Sequence, residues 1–245
     1  MDLTGKTYWL VGASEGLGRE LAIAMAEAGA RCILSARTTE RLTDIASSLA
    51  HDPVVCPLDV TDGVSVEKAW ADILGIDIDG VIYIAGYYDP ISATNWDRDA
   101  VLQMADVNFI GALRVLGHVV PHFVERGSGH IVAIGSLSGY RGLPGAIGYG
   151  ASKAGLMHLV ENIQVDLKGT GVCTQMINPG FIKTRLTDKN DFGMPFIMSP
   201  KEAAQRTLRA MQSGRFKTDF PWGFSLVFRL SRLLPNWLYL RIFGR

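Results

Sequence analysis

Tyr149 and Lys153 stand four residues apart in a segment whose apolar spacing predicts a helix over residues 149–168, so the two side chains share one helical face. A free phenol titrates near ~10, too high for proton transfer at neutral pH. A neighbouring ammonium favours the phenolate and brings that value down. Ser136 lies thirteen residues before Tyr149, directly after the apolar run IVAIG. Parallel sheets place their chemistry at the carboxyl ends of strands, and a hydroxyl there can hold a carbonyl oxygen in line with the phenol. Ser138 is its near competitor. Phenol, ammonium and hydroxyl together can move a proton on and off a carbonyl or alcohol oxygen.

A second constellation is Gly12-Ala-Ser-Glu-Gly16-Leu-Gly18. Glycine lets the backbone turn tightly and approach a pyrophosphate, and a helix that follows offers free N–H groups and the positive end of its dipole. A plain strand-to-helix turn also accepts glycines. The motif's place at the first such turn favours a dinucleotide site.

Both constellations need a scaffold. Residues 6–12, 31–36, 54–58, 80–85, 131–136 and 172–178 read as strands that are apolar throughout. That pattern marks a parallel sheet covered on both faces. Helical spacing falls between them, over 19–29, 38–50, 64–74, 96–124 and 149–168, and again over 200–211. Alternating strands and helices predict βαβ units with right-handed crossovers. No polar linker divides the chain, so residues 1–245 read as one α/β domain, doubly wound, with a sheet of about seven strands and helices on both faces.

Taken in order, VGASEGLG, the Asp59-Val60 pair, Ala85-Gly86, Tyr149-x-x-x-Lys153 and Asn178-Pro179-Gly180 resemble the short-chain dehydrogenase/reductase family over about residues 4–185. The resemblance implies a Rossmann-type domain and assigns roles by position. Gly12, Ser14, Gly16, Leu17 and Gly18 would line the pyrophosphate and ribose, and Glu15 lies among them. Asp59 and Val60 would hold the adenine, and Ala85 and Gly86 the adenine-side ribose. Pro179, Gly180, Ile182 and Thr184 would cover the nicotinamide. The family's spacing to Tyr149 favours Ser136 over Ser138. Asn108, inside the long fourth helix, completes an Asn-Ser-Tyr-Lys set. Its amide could pair with backbone, hold a water leading from Lys153, or simply face solvent. The implied reaction is hydride transfer interconverting a carbonyl and an alcohol, with Tyr149 as acid/base. Two positions depart from the pattern: Val11 stands for a threonine, and Ile84 for the asparagine of an Asn-Ala-Gly segment.

Cofactor choice turns on the end of the second strand. Ala36 stands where an NAD-specific site places a carboxylate, and Arg37 follows with a fork suited to a 2′-phosphate. NADP(H) is therefore expected over NAD(H). Glu15 opposes this unless it turns outward or pairs with Arg37. A non-catalytic NADP(H)-binding sensor or structural subunit would keep the glycines and Arg37, but would not need Ser136, Tyr149 and Lys153.

Zero net charge offers no bulk attraction to nucleic acid. The histidines at 118, 122, 130 and 158 show no ligand spacing, so no metal is expected. Cys32, Cys56 and Cys173 read as buried, reduced thiols. The N-terminus shows no basic-then-apolar leader and no window approaches a spanning length, which sets a cytoplasmic expectation. Residues 181–199 match the family's mobile substrate loop; Met194, Phe196, Ile197 and Met198 would give it an apolar underside suited to a fairly apolar small molecule. Residues 214–245 form an aromatic and basic extension, with Arg215, Lys217, Arg229, Arg232, Arg241 and Arg245 against Asp219. This stretch could pack on the core, form a subunit interface, or dock on an anionic membrane. By analogy with relatives, a homodimer or homotetramer is expected.

Overall fold

The computed structural model describes residues 1–244; Arg245 of the basic extension lies outside them. Seven strands form one sheet in the order β3-β2-β1-β4-β5-β6-β7. They are β1 (Thr7–Val11), β2 (Arg31–Ser35), β3 (Val54–Val55), β4 (Gly80–Tyr83), β5 (Gly129–Ile134), β6 (Val172–Pro179) and β7 (Lys217–Phe220). Every neighbouring pair is parallel. The helices are α1 (Gly16–Glu27), α2 (Thr39–Ser47), α3 (Gly63–Ile73), α4 (Arg98–Ala105), α5 (Gly111–Arg126), α6 (Ile147–Asp166), α7 (Pro200–Ser213), α8 (Trp222–Ser231) and α9 (Asn236–Phe243).

The apolar strands are buried on both faces, as their composition requires. In β1, Trp9 and Val11 join one core with Tyr83, Val115 and Phe123, while Tyr8 and Leu10 join the other with Leu21, Met25 and Leu34. Each large side chain so buried contributes about 1.5–3 kcal/mol relative to exposure.

Four expectations need correction. The extension beginning at Gly214 contributes a seventh strand: β7 pairs with β6 from Met176↔Lys217 to Pro179↔Phe220. Its sequence, KTDF, hides it, because an edge strand with a half-buried face needs no apolar run. The predicted helix over 96–124 begins later, where Asp97 accepts from the backbone N–H groups of Asp99 and Ala100. It runs continuously through α4, a π turn (Asp106–Ile110) and α5. This stretch, Arg98–Arg126, is long and apolar enough to cross a bilayer by length and composition, yet it buries Val115, Val119 and Phe123 against the sheet. Finally, Cys32 and Cys56 are buried but Cys173 is exposed, because its position on β6 faces outward.

Candidate active site

In this strand order β1 sits centrally. The chain leaves it to build β2 and β3 on one side, then crosses to β4 on the other. Such a switch point opens a crevice at the carboxyl ends of the strands. Gly12 sits there at φ +106, and a Cβ on it would lie 2.5 Å from the Ala85 backbone nitrogen. A Cβ on Gly18 would meet the Gly12 carbonyl oxygen at 2.0 Å. Gly12 is therefore required where the turns after the first and fourth strands meet, and Gly18 where α1 packs back on the first turn. Gly16, at φ +55, faces the Thr184 methyl at 3.0 Å from an added Cβ, which brings the loop after β6 onto the same turn.

The residues at this turn fit a dinucleotide phosphate. Helix α1 has no side-chain cap and no acid in its first turn, so its leading N–H groups are open to an anion. Leu17 is buried and Ser14 half-buried. Glu15 does not pair with Arg37. Its two oxygens bind Arg41 at 3.0 Å and Arg185 at 2.7 Å, which offsets its repulsion of an anion. Arg37 stays exposed beyond β2, without an acidic partner among the described residues. Asp59 spends one carboxylate oxygen on the backbone and hydroxyl of Thr61, and the Val60 side chain is buried in the core. Ala85 continues the β1 ladder by donating to Val11. Ile84 packs against the second core rather than offering a polar group.

The phenol-ammonium-hydroxyl constellation begins behind Gly86, whose added Cβ would lie 3.6 Å from Asn108 Oδ1 and 3.8 Å from Lys153 Nζ. Ser138 donates to Ser136 Oγ from both its backbone nitrogen (3.2 Å) and its hydroxyl (2.9 Å). The competitor thus serves as the orienting partner of Ser136. Lys153 is buried, donates to the Ile134 carbonyl at 2.9 Å and lies 5.9 Å from the Tyr149 ring centre. Burial pushes its ammonium down to about 8. Burial also raises the Tyr149 phenol above its ordinary value, with the Ser136 hydroxyl opposing. The expected lowering of Tyr149 by Lys153 is therefore not what this geometry gives. The lysine stands off the ring and is itself desolvated, so the cost of burying a phenolate dominates.

Asn108 is not a surface residue; it is fully buried. Its Oδ1 accepts from Tyr87 N at 2.7 Å, and its Nδ2 donates to Tyr87 O and Ser152 Oγ, each at 2.9 Å. Ser152 in turn donates to the Tyr149 carbonyl. The π turn that carries Asn108 projects it out of the helical hydrogen-bond pattern toward these partners.

Several neighbours escaped sequence reasoning. Tyr88 stands edge-on to Tyr149 at 5.0 Å between ring centres, and its hydroxyl donates to Asn190. Behind the corner, Tyr140 donates to both Asp219 oxygens at 2.8 Å, and Asn178 donates to the same carboxylate. The Asn178 Oδ1 has no partner. Tyr88, two residues after Gly86, and Asn178, in the Asn178-Pro179-Gly180 motif, offered sequence cues; Asp219 lay on the undetected β7.

The loop 181–199 is tied at its base. Pro179 ends β6, Gly180 donates to Phe220, and Ile182 bridges to Met198. Arg185 reaches Glu15, and Lys189 binds Asp89. Of its expected apolar underside only Met198 is buried; Phe196 and Ile197 are exposed and Met194 is half-buried. No group of acids, histidines and cysteines placed to hold a metal occurs among the described residues.

A doubly wound parallel sheet with an uncapped glycine turn at its switch point is a Rossmann-type architecture. The family model described as short chain dehydrogenase matches residues 6–193. An uncharacterized oxidoreductase of Myxococcus xanthus is 36% identical over 245 residues, covering 97% of this chain and 96% of its own. The chain belongs to the short-chain dehydrogenase family and is an oxidoreductase. Among solved structures, a short-chain dehydrogenase of Burkholderia cenocepacia in complex with NADP shares the fold at TM-score 0.88, 23% identity and 100% coverage of both chains. One of Sphingobium yanoikuyae in complex with NADPH does so at TM-score 0.82 and 24% identity, over 89% of this chain and 88% of that one.

Proposed function

We propose that this protein is an NADP(H)-dependent reductase or dehydrogenase that interconverts a carbonyl and an alcohol on a small, fairly apolar substrate. One observation carries the reading: the buried Lys153 lies beside the Gly86 turn and 5.9 Å from the Tyr149 ring centre, and the Tyr149 phenol meets the Ser136 hydroxyl. Gly12, Ser14, Gly16, Leu17 and Gly18 would hold the pyrophosphate and ribose. Asp59 and Val60 would take the adenine, Ala85 and Gly86 the adjoining ribose, and Pro179, Gly180, Ile182 and Thr184 the nicotinamide. Arg37, with no acid at Ala36 and with Glu15 engaged elsewhere, favours a 2′-phosphate. The two cofactor-bound structures of the same fold point the same way.

When bound, the nicotinamide supplies the hydride. The protein's own groups handle the oxygen. Ser136, held by Ser138, orients the carbonyl oxygen and stabilises charge on it. Tyr149 gives that oxygen its proton, and takes it back in the oxidative direction. Its raised phenol suits the protonated, donating form. Lys153 supplies positive charge beside the phenol, and Asn108 fixes the Tyr149 backbone through Ser152. Phe181, Phe192, Phe196 and Phe224, with ring centres 5.7–6.0 Å apart in successive pairs, give the loop side an aromatic character matched to an apolar substrate. Exposed Leu113 and Val165 on α5 and α6 support self-association as a homodimer or homotetramer. The test is consumption of NADPH against a panel of ketones, aldehydes and quinones, followed at the nicotinamide absorbance. Turnover with at least one panel member is expected; tight NADPH binding with no turnover across the panel would favour a sensor or structural subunit.

A further inference from the structure

Helix α8 is inside out, and α9 buries only Tyr239. In α8 the residues buried against the body are serines: Ser225 and Ser231 are 1% and 4% exposed, and each hydroxyl donates back to its own helix. Phe224, Leu226 and Phe228 are half-buried, and other large apolar residues face outward. Trp222, Leu230, Leu233, Trp237, Leu240 and Ile242 are each more than half exposed. Water is a poor environment for such a patch, and contiguous apolar surface of this kind marks a docking face.

The face is not a loose tail. Arg141 donates to the carbonyls of Ser231 and Leu234 and to the side chain of Asn236. Its guanidinium lies over the Tyr239 ring at 3.8 Å, and the Tyr239 hydroxyl donates to the Gly142 carbonyl. The turn between α8 and α9 is thereby pinned to the segment joining Ser136 to Tyr149.

Charge selects the occupant. No acidic residue occurs from Pro221 to Gly244, while Arg229, Arg232 and Arg241 do. Arg229 lies 3.9 Å from Asp219; Arg232 and Arg241 have no acidic partner among the described residues. A second copy docked about a two-fold axis would set this acid-free patch against itself and bring arginines together. An anionic lipid surface would instead take the apolar side chains into its headgroup boundary and pair the arginines with phosphates, with the tryptophans at the depth they favour. We propose that α8 and α9 attach this protein, lying in the plane of the interface, to an anionic bilayer. The face adjoins the loop side of the site, since Phe224 of α8 meets Phe196 at 5.7 Å between ring centres. The attachment itself does not depend on the redox reading.

The test is flotation of the full chain with vesicles of phosphatidylcholine, alone or mixed with phosphatidylglycerol. The protein should float with the mixed vesicles, much less with the neutral ones, and less as salt rises. Each arginine near the surface is worth about fivefold in partitioning, so Arg232→Gln with Arg241→Gln should lower it roughly 25-fold. Leu230→Glu with Leu240→Glu should abolish flotation while the thermal midpoint stays unchanged, since both side chains already face water. The proposal is overturned if the wild-type chain stays at the bottom with anionic vesicles. It is equally overturned if the glutamate variant floats as well as wild type, or if light scattering shows a wild-type oligomer that the glutamate variant dissolves while flotation is absent in both.

Discussion

Two regions of this molecule break the usual rule of polarity in opposite directions. At the proposed catalytic corner, Asn108, Ser152 and Lys153 are buried polar groups, and each has a partner: Tyr87 and Ser152 for the amide, the Tyr149 carbonyl for the serine, the Ile134 carbonyl for the ammonium. On α8 and α9 large apolar groups stand in water, while α8 turns two serines and α9 turns Tyr239 toward the body. The first arrangement is tolerable because each of these three groups is hydrogen-bonded. The second lacks any such compensation within the chain. The contrast separates a site completed from within from a surface that needs something outside it.

The hardest blow to the buried side is loss of the Tyr149 hydroxyl. Tyr149→Phe should lower kcat by about 10²–10⁴, the range a positioned acid/base provides, while NADPH binding measured by fluorescence stays near wild type. A variant that turns over at close to the wild-type rate would remove Tyr149 from the chemistry. The phenol is raised by burial and Lys153 is pushed down to about 8. The reductive rate should therefore hold through neutral pH and fall in the alkaline range as the lysine loses its charge.

A second buried polar group tests the same side through stability. His130 accepts from the Tyr8 hydroxyl at Nδ1 and donates from Nε2 to Gln175 Oε1, each at 2.9 Å. The Gln175 amide nitrogen donates to two carbonyls, which fixes that orientation. Burial lowers His130 to about 4 from an ordinary 6.5. Between those values the unfolded chain binds a proton that the folded chain does not, so stability falls as pH drops through the window. The loss is about 3 kcal/mol by pH 4. Relative to His130→Gln, the wild-type protein should lose thermal midpoint more steeply from pH 6.5 to 4; parallel curves would contradict the assignment.

Arg37 sits between the two regions in character, exposed and proposed to meet the 2′-phosphate. Arg37→Ala should raise the KM for NADPH about tenfold or more, the worth of a charge-assisted bond, and leave that for NADH nearly unchanged. Equal effects on both would detach Arg37 from the 2′-phosphate. Glu15→Gln sharpens this result. If Arg41 and Arg185 are the true partners of that carboxylate, its loss should free two arginines and tighten NADPH slightly.

What was legible in the sequence follows the same divide. The six apolar strands, the glycine turn and the spacing of Ser136, Tyr149 and Lys153 are local patterns, and local patterns survive being read one residue at a time. Strand β7 was hidden because KTDF, at a sheet edge, carries no apolar run. The partners of Glu15 were hidden because Arg41 and Arg185 lie 26 and 170 residues away. The sign of the Tyr149 shift was missed because spacing reports which groups are neighbours, not how much water they lose. For the tail, the sequence left three readings open, because it does not show which face of α8 turns toward the body.

The smallest expected effect bears on that last point. If the outward leucines contribute nothing to the fold, replacing them with charge should not unfold the protein. Leu230 is 52% and Leu240 62% exposed, so little apolar area is lost from the folded interior. Surface changes away from caps, cores and networks shift stability by about 0.5 kcal/mol or less. Leu230→Glu and Leu240→Glu should each keep the thermal midpoint within a degree or two, and each should raise solubility. By contrast Ser225→Leu, a larger side chain forced beneath α8, should cost about 1–3 kcal/mol through overpacking. A helix that tolerates glutamate on its apolar face and rejects leucine on its polar one has its interior defined by packing and its exterior by a partner. The reverse pattern would mean that α8 and α9 are merely a frayed edge of the core.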